Sequence, residues 1–96
     1  MSIVEITVFH LVPDADEGSF LAADRRVQAE LVPFAPGFIR RTTAREGVAW
    51  LVLTLWGSEA DAEAYAQSAQ GEEAQVEFER HIDPSSVRTR RFTTLD

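Results

Sequence analysis

Apolar positions along the chain alternate between a two-residue rhythm and a three-to-four-residue rhythm, and the changes mark out six elements. Ile3 to Val12 is rich in β-branched and aromatic residues until Pro13 stops it, which predicts a first strand. Its faces are Val4, Ile6, Val8, His10, Val12 and Ile3, Glu5, Thr7, Phe9, Leu11. Residues 14–19 form a turn into a helix that Asp16 or Ser19 can cap. Phe20, Ala23 or Asp24, Val27 and Leu31 recur at helical spacing, so Ser19 to about Leu31 reads as an amphipathic helix, ended by Pro33 and Pro36. Phe38 to Arg45 alternates as a half-buried strand, Glu46-Gly47 turns the chain, and Val48 to Trp56 is the next strand. Ser58 stands three residues before Asp61, a capping box with Asp in place of Glu. The helix that follows spans Ala60 to about Ala69, breaks at Gly71 and resumes from Glu72 to Ile82. Asp83-Pro84 turns into a last strand, Val87 to Leu95.

The order βαββαβ predicts a ferredoxin-like α+β domain over residues 1–96: a four-stranded antiparallel sheet with its helices on one face. The Val48–Trp56 strand is apolar on both sides, with Trp50, Val52, Thr54 and Trp56 on one and Ala49, Leu51, Leu53 and Leu55 on the other. One helix layer covers one side. A second copy of the chain, joined sheet to sheet as a homodimer, or a ligand is the expected cover for the other, and the homodimer is the reading taken. Aliphatic side chains pack readily under helices, so the expectation places the Ala49–Leu55 side under the helices and the Trp50/Trp56 side at the partner.

Composition narrows the partners more than the chemistry. The 96 residues are 45% hydrophobic and 26% charged, ordinary for a globular domain. No apolar run is long enough for a membrane span, and the chain enters its first strand without a leader-like segment. Cysteine is absent, which removes disulfides, a thiol nucleophile and thiolate metal ligands. The net charge of −7 excludes a nucleic-acid surface, since the cations are all arginine and Arg40, Arg41, Arg88, Arg90 and Arg91 fall on two strands. A cytoplasmic location is expected.

Certain motifs match a known group. Pro36-Gly37-Phe38 before an arginine-bearing strand, Glu46-Gly47 at the turn, and Leu53-Thr54-Leu55-Trp56-x-Ser58-x-x-Asp61-Ala62 before an acidic helix resemble the dimeric α/β-barrel proteins, and within them the antibiotic-biosynthesis-monooxygenase-like group. The resemblance runs the length of the chain. It implies a dimer and, in the cofactor-free oxygenases of the group, an electron-rich phenol that loses a proton and reacts with oxygen without metal or haem. Trp56 matches the tryptophan that lines the substrate cavity of those enzymes. The positions where they place an asparagine and a tyrosine are Val52 and Ala62, and Tyr65, one turn further along the helix, is the candidate replacement. The haem-degrading branch needs an axial histidine where this chain has Gln75, and an asparagine on a first strand that offers Thr7 instead.

The remaining candidates come from residue chemistry. His10 and His81 are the only imidazoles, and a histidine suits proton acceptance from a phenol. His10, ending the first strand, joins Trp56 and Tyr65 as a candidate catalytic residue. Glu5, Thr7, Arg41 and Thr43 fall on the side of Trp50 and Thr54, where a Glu–Arg pair would either orient a phenolic ligand or bridge the dimer. Asp24 intrudes on the apolar stripe of the first helix, with Arg25 and Gln28 in reach. Two functions follow: a monooxygenase-like protein acting on an aromatic or polyketide-type molecule, or a non-catalytic dimeric ligand-binding or stress-related module using the same cavity.

Overall fold

A computed structural model describes residues 1–95. Its elements are β1 (Ile3–Phe9), α1 (Glu17–Glu30), β2 (Phe38–Glu46), β3 (Ala49–Trp56), α2 (Glu59–Ser68), α3 (Glu73–Arg80) and β4 (Arg88–Thr93), with single 3₁₀ turns at Val32–Phe34 and Pro84–Ser86. The strands form one antiparallel sheet in the order β2-β3-β1-β4, with the helices on one face. This is the ferredoxin-like arrangement. Among the described residues, no helix is long and apolar enough to cross a membrane.

Local chemistry sets the boundaries. The Asp16 carboxylate accepts from the Ser19 backbone N–H at 2.9 Å and from the Ser19 hydroxyl at 2.7 Å, so α1 starts two residues before the expected position. The same bonds hold the Asp16 carboxyl below the usual carboxylate range. Asp61 N–H donates to Ser58 Oγ at 3.1 Å and the Ser58 hydroxyl donates back to Asp61 Oδ2 at 2.9 Å, which starts α2. Gly71, at φ +82°, separates α2 from α3. β1 ends at Phe9, three residues short of the expected Val12, because the chain beyond it pairs with the exit of α3. Val12 N–H donates to the His81 carbonyl and Asp83 N–H to the His10 carbonyl, each at 2.9 Å.

At the start of β2, Gly37 has φ +81° and lies beneath the Asp61 side chain, where any Cβ would collide with the carboxylate. Gly57 N–H donates to the Gly37 carbonyl at 2.8 Å, fixing the strand-to-helix junction after Trp56.

The two faces of β3 are the reverse of the expectation. Trp50, Thr54 and Trp56 are buried beneath the helices, whereas Leu51, Leu53 and Leu55 lie half-buried on the open side of the sheet. Aromatic bulk is the reason. α1 and α3 each send one phenylalanine, Phe20 and Phe78, into the cluster that holds Trp50. Phe20 meets Trp50 edge to face at 4.9 Å, and Phe9 meets Phe20 at 5.9 Å and Phe78 at 6.2 Å. Flat aliphatic side chains suit the open face. There Leu51, Leu53 and Leu55 pair with Val8, Ile6 and Val4 across the ladder, and Phe92 lies beside Val4.

Beneath the helices the packing falls into two clusters. Phe9, Phe20, Ala23, Val27, Trp50, Ala74 and Phe78 form one, at the Trp50 end of β3. Ile3, Val32, Trp56 and Ala62 form the other, at the Trp56 end.

Candidate functional site

Between those clusters the sheet carries short side chains, and α2 faces it with alanines. Thr7, Val52 and Thr54 occupy the middle of β1 and β3, and a cavity of about 390 Å³ remains under the helices. Phe9, Val27, Val52, Phe78, Ile82 and Val87 form its apolar wall. Its polar groups are Glu5, Thr7, Arg41, Thr54, Tyr65, Gln75 and Glu79. A second chamber of about 280 Å³ adjoins it, sharing Glu5, Thr7, Tyr65, Gln75 and Glu79 and adding Ala62, Ala66, Ala69, Thr89 and Arg91. The larger chamber alone is in the range that holds a small organic molecule.

Two arginines serve this space from opposite edges of the sheet. The Arg41 side chain is 5% exposed, and its Nη2 donates to Asp24 Oδ1, itself on a side chain 13% exposed, at 2.8 Å. The Thr43 hydroxyl donates to the same oxygen at 2.9 Å, and the guanidinium rests 5.5 Å from the centre of the Phe78 ring. On the other edge, Arg91 Nε donates to Glu5 Oε2 at 2.8 Å, while Arg91 Nη1 bonds Glu63. These carboxylates, Glu5 first and Glu63 second, raise the pKa of Arg91 further. Glu5 and Arg41 therefore do not pair with each other. Both lie on the helix-covered side of the sheet, away from the open face on which an ion pair between two copies would have to sit. Asp24 is satisfied by Arg41 and Thr43 rather than by Arg25 or Gln28.

Tyr65 lines both chambers, and its ring lies 5.1 Å from that of Trp56 at 39°. Burial pushes its phenol pKa above the usual value, opposed by Arg41 and reinforced by Glu5 and Glu79. The hydroxyl stays protonated at neutral pH and is available as a donor. Trp56 is 1% exposed, wedged between Tyr65 and Phe38, and its buried Nε1–H has no hydrogen-bond partner among the described residues. The lining of both chambers omits Trp56, so its contact with the site is as the surface on which Tyr65 rests.

His10 is exposed beyond the end of β1, where its backbone N–H donates to Ser86 Oγ at 2.9 Å, and it lines neither chamber. His81 is mostly buried edge-on to Phe20 at 6.1 Å, with Nε2 at 3.6 Å from Glu77 Oε1, and is also outside the lining. The structure thus brings Tyr65 and Trp56 together and leaves His10 apart. Arg91 and Glu79 are site residues that the sequence reading did not single out. The signal for Arg91 was the alternation of β4, which places it opposite Glu5.

No family model matches the sequence, and no curated protein matches it. Solved structures do. The cofactor-independent oxygenase SnoaB from Streptomyces nogalater is 14% identical and superposes with a TM-score of 0.81 over 99% of this chain and 94% of that one. A candidate antibiotic biosynthesis monooxygenase from Bordetella bronchiseptica is 16% identical, with a TM-score of 0.82 over 98% and 97%. Rv0793 from Mycobacterium tuberculosis is 13% identical, with a TM-score of 0.74 over 100% and 97%. At these identities the likeness is one of fold, and in fold this chain stands with the antibiotic-biosynthesis-monooxygenase-like structures.

Proposed function

We propose that the chain is a small cofactor-independent monooxygenase-like protein acting on an aromatic or polyketide-type molecule bound between the sheet and α2–α3. The observation that supports this most is the cavity of about 390 Å³, whose aromatic and aliphatic wall faces a set of polar side chains that include Glu5, Arg41 and Tyr65. Such a site can seat a planar ring against its apolar wall. In the reaction envisaged, an activated ring carbon loses a proton and its electron pair reacts with molecular oxygen. One oxygen atom stays on carbon as a carbonyl and the other leaves as water, taking up the displaced hydrogens. The Tyr65 hydroxyl donates to the oxygen where negative charge gathers, and Trp56 keeps the Tyr65 ring in place.

The open face of the sheet, centred on Ile6 and Leu53, is the proposed homodimer interface, and a cytoplasmic setting is part of the same reading.

A second reading is a non-catalytic ligand-binding or stress-related module. It is favoured by the exposed position of His10, which leaves the cavity without an imidazole base. A panel of naphthols and anthrones separates the two, read by oxygen consumption and by quenching of tryptophan fluorescence. Turnover supports the oxygenase, quenching without oxygen uptake supports the module, and neither response with any member overturns the aromatic-ligand assignment.

A further inference from the structure

The donors and acceptors around the cavity are unevenly distributed. Arg41 offers only donors, and the Tyr65 hydroxyl is free to donate. The Thr7 and Thr89 hydroxyls are 3.1 Å apart and satisfy each other. Gln75 Nε2 donates to Glu79 Oε2 at 2.8 Å, and Glu79 lies on the exposed rim. Glu5 differs from all of these. Its side chain is 19% exposed, it lines both chambers, and its Oε2 is occupied by Arg91 Nε. Its other oxygen, Oε1, takes no hydrogen bond from a described residue. Arg91 is itself tied down by Glu63 and by Glu59 at 3.9 Å, so the carboxylate of Glu5 is held by a fixed cation rather than by a swinging one.

We propose that Glu5, oriented by Arg91, is the specificity-determining acceptor of this cavity and selects ligands that present a hydroxyl hydrogen where the two chambers meet. The inference rests on the aromatic-ligand reading above and adds a requirement to it. A ring that carries a hydroxyl at one edge and a carbonyl at another matches the arrangement, the hydroxyl donating to Glu5 and the carbonyl accepting from Tyr65. A carboxylate is a far weaker base than a phenolate, so Glu5 orients the hydroxyl and leaves its proton in place. An ether or an unsubstituted ring leaves Oε1 without a donor, and an aromatic acid sets a second negative charge against it.

The test measures dissociation constants of 2-naphthol and 2-methoxynaphthalene by isothermal titration calorimetry, with wild type, Glu5→Gln and Glu17→Gln. A charge-assisted hydrogen bond should make wild type prefer the naphthol by about 10- to 100-fold. Glu5→Gln should bring the two within about threefold by weakening the naphthol alone, while Glu17→Gln, which removes a half-exposed carboxylate that lines neither chamber, should keep the preference. Equal binding of both compounds by wild type overturns the role of Glu5 and leaves the aromatic cavity standing. A preference that survives in Glu5→Gln also overturns it. Should Glu5→Gln fail to fold, Glu5→Asp, which draws the carboxylate back by one methylene, should narrow the preference, and an unchanged preference in that variant overturns the role. If neither compound binds wild type, this inference and the aromatic-ligand reading fall together.

Discussion

Removing Asp24 should expose how much this small domain depends on one buried ion pair. Asp24→Ala leaves Arg41 as a cation whose side chain is 5% exposed, with the weak contact to Thr43 at 3.4 Å and the Phe78 ring as its remaining neighbours. Breaking one partner of a buried pair typically costs about 3–5 kcal/mol. Because Arg41 lines the cavity, water can reach part of the guanidinium, which favours the low end, about 3 kcal/mol. A domain of this length has about 5–14 kcal/mol in total, so the loss is a large fraction of it. Urea denaturation at fixed chain concentration should show the midpoint fall by about 2–3 M, given a slope near 1–1.5 kcal/mol/M. Asp24→Asn keeps an acceptor and should fall between wild type and Asp24→Ala. The double variant Asp24→Leu/Arg41→Met removes both charges and should recover most of the loss, since desolvation offsets much of what the pair gains. A cost below about 1 kcal/mol for Asp24→Ala would refute the reasoning, because it would mean that the cavity solvates Arg41 almost as well as bulk water does.

Three further outcomes are expected. Sedimentation equilibrium of wild type should give about twice the 10.7 kDa chain mass, and Leu53→Arg, which places a charge at the centre of the open sheet face, should give a monomer; a dimer in that variant would exclude this face. Tyr65 is the sole tyrosine, so absorbance titration near 295 nm follows it alone: its midpoint should lie above about 10 in the folded protein and near 10 in urea. The sign follows directly, for the stabilisation linked to the protonated phenol is complete below the unfolded value and is lost as pH rises through the folded one, and a folded midpoint at or below the unfolded one contradicts the burial described. Tyr65→Phe should lower ligand affinity or turnover by about tenfold without loss of stability, whereas Trp56→Ala should cost about 3–5 kcal/mol because the indole is fully buried; an unchanged affinity in Tyr65→Phe reduces that residue to packing.

Local grammar made the elements readable. Ser58 and Asp61 announce α2, Gly71 announces the break before α3, and the alternation from Phe38 onward announces the hairpin. Events at a distance were harder to read. The end of β1 depends on a bridge between Leu11 and Ile82, 71 residues apart in the chain, that no local pattern encodes. The orientation of β3 was misread because both sides are apolar. Deciding between them requires knowing that Phe20 projects from α1 to meet Trp50 and Phe78 from α3 to meet Phe20, and that Glu5, Thr7 and Arg41 line a cavity on that same side. Polar residues sharing a face with two tryptophans were the available clue. Tyr65 and Trp56 were legible as neighbours because a strand end and the helix that follows it are close in sequence. Arg91 was not, since its role depends on register across β1 and β4.

The division of the interior into two clusters with an unfilled middle sets stability against use. Selection for heat resistance alone should favour longer side chains at Val52 and Thr54, where there is room for them and packing to be gained. Each such replacement would close the larger chamber from its floor. The tryptophans at either end of β3 can be as tightly packed as the fold allows without touching that trade, and they are. Short residues at the two positions between them are thus the places where a lineage that lost its ligand would be expected to drift first, and where one that kept it would stay small.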